Sequence, residues 1–195
     1  MKKRAVSIPA WLGLGLILCS LCVLLYSWVR TQSGQRKCQR ALVQMEALLP
    51  ERTPGVPEQD GQQSMPVLQI HGEDYVALLQ VPAWDLSLPV ADPWNSHKLH
   101  AGPRRFYGSA QNGTLVIGGI DREMQFAFCA QIQHGDRILI TDMTGATFAY
   151  TVTRIDRAKH AETQWLVQEG IDLTLFCRDR YAREYVAVRC VISLT

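Results

Sequence analysis

Hydrophobic and polar positions divide this chain into two regimes. Trp11 to Val29 are nineteen consecutive residues without a charge. As a helix, at about 1.5 Å rise each, they reach about 28 Å, close to the hydrocarbon thickness of a bilayer. Lys2, Lys3 and Arg4 precede the run, and Trp11, Tyr26 and Trp28 stand near its ends, where amphipathic rings favour a membrane interface. The pattern predicts a transmembrane helix within residues 9–29 and a basic cytoplasmic tail over residues 1–8. A cleaved signal peptide is the alternative; the run is long for one, and no small-x-small site follows at once. Arg30, Arg36, Lys37 and Arg40 lie just beyond the run, so the charge asymmetry is modest. It still favours the N-terminus inside and the remainder outside.

A second apolar rhythm, with period 3.6, runs from Cys38 to Leu49. It places Ala41, Leu42, Met45, Leu48 and Leu49 on one stripe, and Pro50 ends it. Residues 50–66 carry Pro50, Pro54, Pro57 and Pro66 among Gly and Gln, the composition of a stalk. Residues 30–66 therefore form a juxtamembrane helix and stalk, and residues 67–195 a separate domain. In that domain the period shifts to two. Strands are predicted over Tyr75–Val81 (stopped by Pro82), Leu86–Leu88 (closed by Pro89), Gly113–Gly119, Arg137–Thr141, Thr147–Ile155, Leu173–Phe176 and Tyr185–Val191. Asp142-Met143-Thr144-Gly145 is a hairpin signal. Ile138 and Ile140 on one side of it, and Phe148, Tyr150 and Val152 on the other, give each strand one buried face. Helices are predicted between Met124 and Gln133 and near Ala161–Gln168. Many short strands with one or two short helices give a mainly β fold, a closed barrel of about eight strands.

Composition narrows the function classes. Residues 1–66 hold eight Lys/Arg against four Asp/Glu, whereas residues 67–195 hold twelve against fourteen. A near-neutral domain does not point to nucleic acid. The basic excess lies beside the membrane segment, where anionic headgroups attract it. Six cysteines do not make a disulfide scaffold: Cys19 and Cys22 lie in the apolar run and Cys38 just after it. That leaves Cys129, Cys177 and Cys190, an odd number, for the domain. No cysteine–histidine spacing suits zinc, and no phosphate-binding glycine motif surrounds Gly118-Gly119, so no metal or cofactor is expected. Trp84 and Trp94 read as core cover, and Asn112-Gly113-Thr114 as a turn.

The order of short motifs resembles the sortases, the cysteine transpeptidases of Gram-positive cell surfaces, in a class B-like form. Tyr75–Pro82 is similar to their first strand. Leu88-Pro89-Val90 follows as their Leu-Pro-Val does, and Arg105–Ser109 resembles their Cys-Arg-Tyr-Ser-Gly-Ser stretch. Leu115-Val116-Ile117-Gly118-Gly119 resembles Leu-Val-Ile-Ala-Gly, and His134-Gly135-Asp136 resembles Pro-Gly-Asp. Asp172-Leu173-Thr174-Leu175-Phe176 resembles the Asp-Leu-Thr-Leu-Phe that precedes the Thr-Cys of the family signature. The resemblance covers residues 73–192 and implies a sortase barrel. It also implies a sorting-signal peptide as ligand, and a cysteine, a histidine and an arginine as catalytic groups.

That chemistry needs a thiolate to attack the peptide carbonyl, a titratable group to move protons, and a fixed cation to steady the oxyanion. The histidine position follows Gly119 directly and holds Ile120, which has no proton to give. Without a gap, Cys177 takes the family's threonine place, Arg178 the cysteine place and Tyr185 the arginine place. On that alignment all three catalytic positions are lost. None of His71, His97, His100, His134 and His160 falls at the strand end, and Asp121 and Glu123 beside Ile120 are candidate partners for Arg178. Deleting one residue instead makes Cys177 the nucleophile and Arg183 the oxyanion donor, at the cost of turning Cys177 to the opposite face of its strand. The favoured expectation is an impaired sortase that binds a sorting-signal peptide, or assists an active sortase or a surface-assembly partner. The alternative is an active, divergent cysteine transpeptidase.

Overall fold

The alternating stretches of the domain close on themselves, each hydrogen-bonded to neighbours on both sides. The computed structural model describes residues 17–23, 38–57, 64–179 and 181–193. Its strands are β1 (Thr53–Pro54), β2 (Leu68–Ile70), β3 (Glu73–Val81), β4 (Leu86–Asp92), β5 (Arg104–Tyr107), β6 (Leu115–Ile120), β7 (Arg137–Asp142), β8 (Ala146–Ala158), β9 (Leu173–Arg178) and β10 (Tyr185–Ile192). Eight of them form a ring in the order β3-β4-β5-β6-β9-β10-β8-β7, which returns to β3 through the β7–β3 pairing. Closure removes open edges. β2 and β1 are appended to β3 and β8.

One phase of each strand fills the interior: Leu79 and Val81, Leu115 and Ile117, Ile138 and Ile140, Phe148, Tyr150 and Val152, Leu173, Leu175 and Cys177, and Val186, Val188 and Cys190. The predicted hairpin forms, with the Asp142 carboxylate accepting from the N–H of Thr144 (2.9 Å) and of Ala146 (3.0 Å). The stripe on residues 38–48 is helical and packs outside the barrel. Met45 sits against Ile70 and Leu78, with Leu42, Leu49 and Tyr75 around them. Leu48, expected on that stripe, is exposed at the helix end.

Three expectations are corrected. Pro89 does not close its strand but lies within β4, opposite Leu78. β5 meets β4 at Ala91 alone, so the far edge of β4 has no partner at Pro89 for a missing N–H to disappoint. The helix expected over Met124–Gln133 is only the 3-10 turn Ala127–Ala130, after Met124 with a left-handed φ of 59°. Part of the expected stalk is built onto the barrel, since β1 pairs in parallel with β8 and the core takes in Met65. Near Ala161–Gln168 a single helical turn forms, Thr163–Leu166. The 9–29 span lies largely outside the described residues, of which 17–23 are helical. Among the described residues no helix is long and apolar enough to cross a membrane.

Candidate active site

β6 and β9 run parallel in the ring, pairing Leu115 with Leu173 through to Ile120 with Arg178. β10 runs antiparallel on the other side of β9 and pairs Tyr185 with Arg178. Ile120, Arg178 and Tyr185 therefore stand side by side at one end of three adjacent strands. All three lie on the strand phase opposite to the interior. Arg178 is exposed, Ile120 and Tyr185 are half-buried, and the Arg178 guanidinium lies 5.9 Å from the centre of the Tyr185 ring. This is a cation–π contact at the outer limit of distance, worth roughly 0.5–1 kcal/mol at an exposed site.

Cys177 takes the other phase. It is 2% exposed and belongs to the interior cluster with Cys129 and Cys190. Burial, and then a hydrogen bond with the Cys177 side chain, push the Cys129 thiol well above its ordinary value. Burial also raises Cys190. At Cys129 and Cys190 burial thus disfavours the thiolate. Arg183 does not reach the strand: it lies exposed in the turn before β10 with a left-handed φ of 57°. The expected histidines stay apart from the row. His71 is in the β2–β3 turn, His97 and His100 are in the 3-10 helix Ser96–Ala101, and His134 and His160 are exposed in loops.

Below this row the outer surface of β6, β9 and β10 is capped by aromatic rings. Trp94, Phe106 and Phe176 meet with centroids 5.1–5.6 Å apart, over Val116 and Ala187. Gly118 allows this, because a Cβ there would come within 2.5 Å of the Trp94 ring. Gly119 faces inward, and its Cβ would meet Phe126 at the same distance. The reading of Trp94 as cover therefore holds, and the Gly-Gly pair serves two close approaches on opposite faces.

One group was not singled out from the sequence: Arg189, fully buried on this outer face. Its Nε donates to the Asp156 carboxylate at 3.0 Å. Nη1 donates to the Leu166 carbonyl (2.8 Å) and Thr174 Oγ1 (3.1 Å), and Nη2 to the Trp165 carbonyl. The guanidinium also lies 4.9 Å from the Trp165 ring centre. Burial lowers its pKa and Asp156 opposes the shift, so the side chain stays charged. Arg189 pins the segment 161–167 over the strands. The available signal was its parity with Tyr185 and Ala187 in the alternating run Tyr185–Cys190.

Comparison with known proteins agrees with this architecture. The sortase domain family model matches residues 79–193, more than half of the chain. Sortase A from Corynebacterium diphtheriae, as a lid mutant, is similar at 26% identity with a TM-score of 0.55, covering 63% of this chain and 72% of that one. A second sortase A structure from the same organism is 19% identical with a TM-score of 0.55, covering 85% of each chain. Sortase C1 from Streptococcus suis is 21% identical with a TM-score of 0.53, covering 62% of this chain and 74% of that one. These structures carry A and C designations, where the motifs resembled a class B-like form. No curated protein matches the chain. The matched domain and the ring of strands lead to one conclusion: this chain belongs to the sortase family.

Proposed function

We propose that this chain is a sortase-fold protein that has lost transpeptidase chemistry and serves cell-surface protein anchoring as a peptide-binding or accessory member. What carries the reading is the register that sets Ile120, Arg178 and Tyr185 in one row while Cys177 points into the core. Ile120 has no lone pair to take a proton. A guanidinium stays protonated and does not attack a carbonyl. A neutral phenol donates a hydrogen bond but brings no positive charge to an oxyanion. What these residues offer is recognition: an exposed cation beside an aromatic ring, suited to an acidic or carboxylate-bearing portion of an extended peptide. A sorting-signal peptide is the ligand class the family suggests, with an active sortase or a surface-assembly protein as partner. The uncharged run within residues 9–29 supports a single-pass anchor, N-terminus inside, with the domain outside a Gram-positive membrane.

A transpeptidation assay tests this. The full chain in detergent is offered a panel of sorting-signal peptides with amine acceptors, and peptide binding is followed in parallel by fluorescence polarisation. We expect saturable binding of at least one peptide and no acyl transfer. The competing reading is turnover through Cys177 with Arg183 as oxyanion donor. Transfer that disappears in Cys177→Ala would establish that reading and end the proposal.

A further inference from the structure

The outer surface of the barrel carries a second feature, away from the Ile120–Arg178–Tyr185 row. Helix 38–48 stands off β3, β4 and β5 and leaves a cleft of about 440 Å³. That volume lies within the usual range for small-molecule sites and is far larger than the roughly 30 Å³ of one water. The floor is apolar, from Ile70, Pro89 and Ala91, and the charged groups are gathered at the walls.

Those charges do not balance. Among the described residues, Arg40, Lys98 and Arg104 line the cleft with one acid, Glu73. Arg104 is buried, donates to the Pro93 carbonyl at 2.7 Å and pairs with Glu73. Lys98 shares the same carboxylate at 3.2 Å. Burial pushes the Glu73 carboxyl up, but hydrogen bonds from Arg104 and Lys98, with their charges, outweigh it and hold the group below the usual carboxylate range. One ionised carboxylate thus serves two cations, and Arg40 has no acidic partner among the described residues. Three further polar side chains line the space. Nδ1 of His100 donates to the His97 carbonyl at 2.8 Å, which makes Nε2 of the neutral ring an acceptor, and His71 also lines the cleft. The Tyr75 hydroxyl has no hydrogen-bond partner among the described residues, and burial raises its pKa to about 12. A concave site with an excess of two positive charges, donors on several walls and an apolar floor is matched by a compact molecule bearing a dianion.

We propose that the cleft between helix 38–48 and strands β3–β5 binds a phosphate-bearing small molecule, its phosphate held by Arg40 and Lys98. A phosphomonoester carries close to two negative charges at neutral pH and accepts from several donors at once. A simple carboxylate would neutralise only half of the excess. Bare phosphate would leave most of the volume and the apolar floor unfilled. The proposal does not depend on whether the chain transfers acyl groups.

The test is calorimetric titration of the full chain in detergent with glycerol 3-phosphate. Inorganic phosphate serves as competitor, and vesicles of phosphatidylcholine with or without phosphatidic acid, a phosphomonoester lipid, form a separate arm. We expect one saturable site that weakens as salt rises. Arg40→Gln and Lys98→Gln should each weaken it about tenfold or more, while Arg137→Gln, which removes an exposed charge on β7, leaves it unchanged. Arg40→Lys should recover part of the loss, which separates lost charge from a disturbed helix. Binding of phosphatidic acid vesicles that glycerol 3-phosphate displaces and Arg40→Gln abolishes assigns the phosphate to a lipid headgroup. Binding of the soluble ester alone assigns it to a free metabolite. Absence of saturable binding to either probe, or binding indifferent to both Arg40→Gln and Lys98→Gln, would overturn the proposal.

Discussion

Two neighbouring residues, Cys177 and Arg178, differ by one step along β9 and so face opposite sides of the sheet. Arg178 is exposed in the row with Ile120 and Tyr185, and Cys177 is sealed in the core. Thiol labelling separates the two positions. In the native protein Cys177 should react with alkylating reagents far more slowly than in the unfolded chain, whereas a cysteine introduced by Arg178→Cys should react rapidly. Fast native labelling at Cys177 would contradict the facing described here. Arg189 matters for a different reason. Arg189→Ala leaves the Asp156 carboxylate without its buried partner, and the Leu166 and Trp165 carbonyls without their donor. It should cost roughly 3 kcal/mol in thermal or urea denaturation, within the span seen on breaking buried pairs. The opposite facing of Cys177 and Arg178 was legible in the sequence, because the alternation of Leu173, Leu175 and Cys177 sets the inward phase of the strand. The Arg189 network was not, since its partners come from segments 156, 165–166 and 174, brought together only by folding.

At the scale of the element, period and parity carried most of the information. The β7–β8 hairpin, β6, β9 and β10 lie where alternating apolar runs placed them, because each strand has one face in the barrel and one outside. β4 escaped the rule that proline ends a strand, since whether a missing N–H matters depends on a neighbour the sequence does not name. Helix 38–48 was visible as a stripe, but its seat was not. Met45, fully buried against Ile70 and Leu78, is what fastens it to the barrel. Met45→Ala should destabilise the protein by about 2–5 kcal/mol. The same change should loosen the 440 Å³ cleft, whose outer wall is this helix. A Met45→Ala protein that melts like the wild type would mean that the helix does not pack on the barrel in solution.

For the whole molecule, the barrel interior sets a pH limit. Cys129, Cys190 and Tyr150 all have ionisation raised by burial in the one core. Thiols ordinarily ionise near 9.0, so in alkaline solution the unfolded chain loses protons that the folded barrel keeps. Their contribution is therefore fully present below about pH 9 and falls as pH rises through the elevated folded values. The melting temperature should drop steadily above that pH, and Cys190→Ala should reduce the steepness of the drop; an equal slope in the variant would remove Cys190 from the account. By itself the sequence determined the phase of each strand, the mainly β class and the family resemblance. These follow from short-range periodicity and from motif spacing, which a linear chain carries in full. Tertiary structure alone decided that Ile120, Arg178 and Tyr185 form a single row, that Arg189 is buried, and that Arg40 on a helix faces Lys98 and Arg104 across a cleft. Each of these joins residues far apart in the chain, and only the closure of the barrel sets such distances.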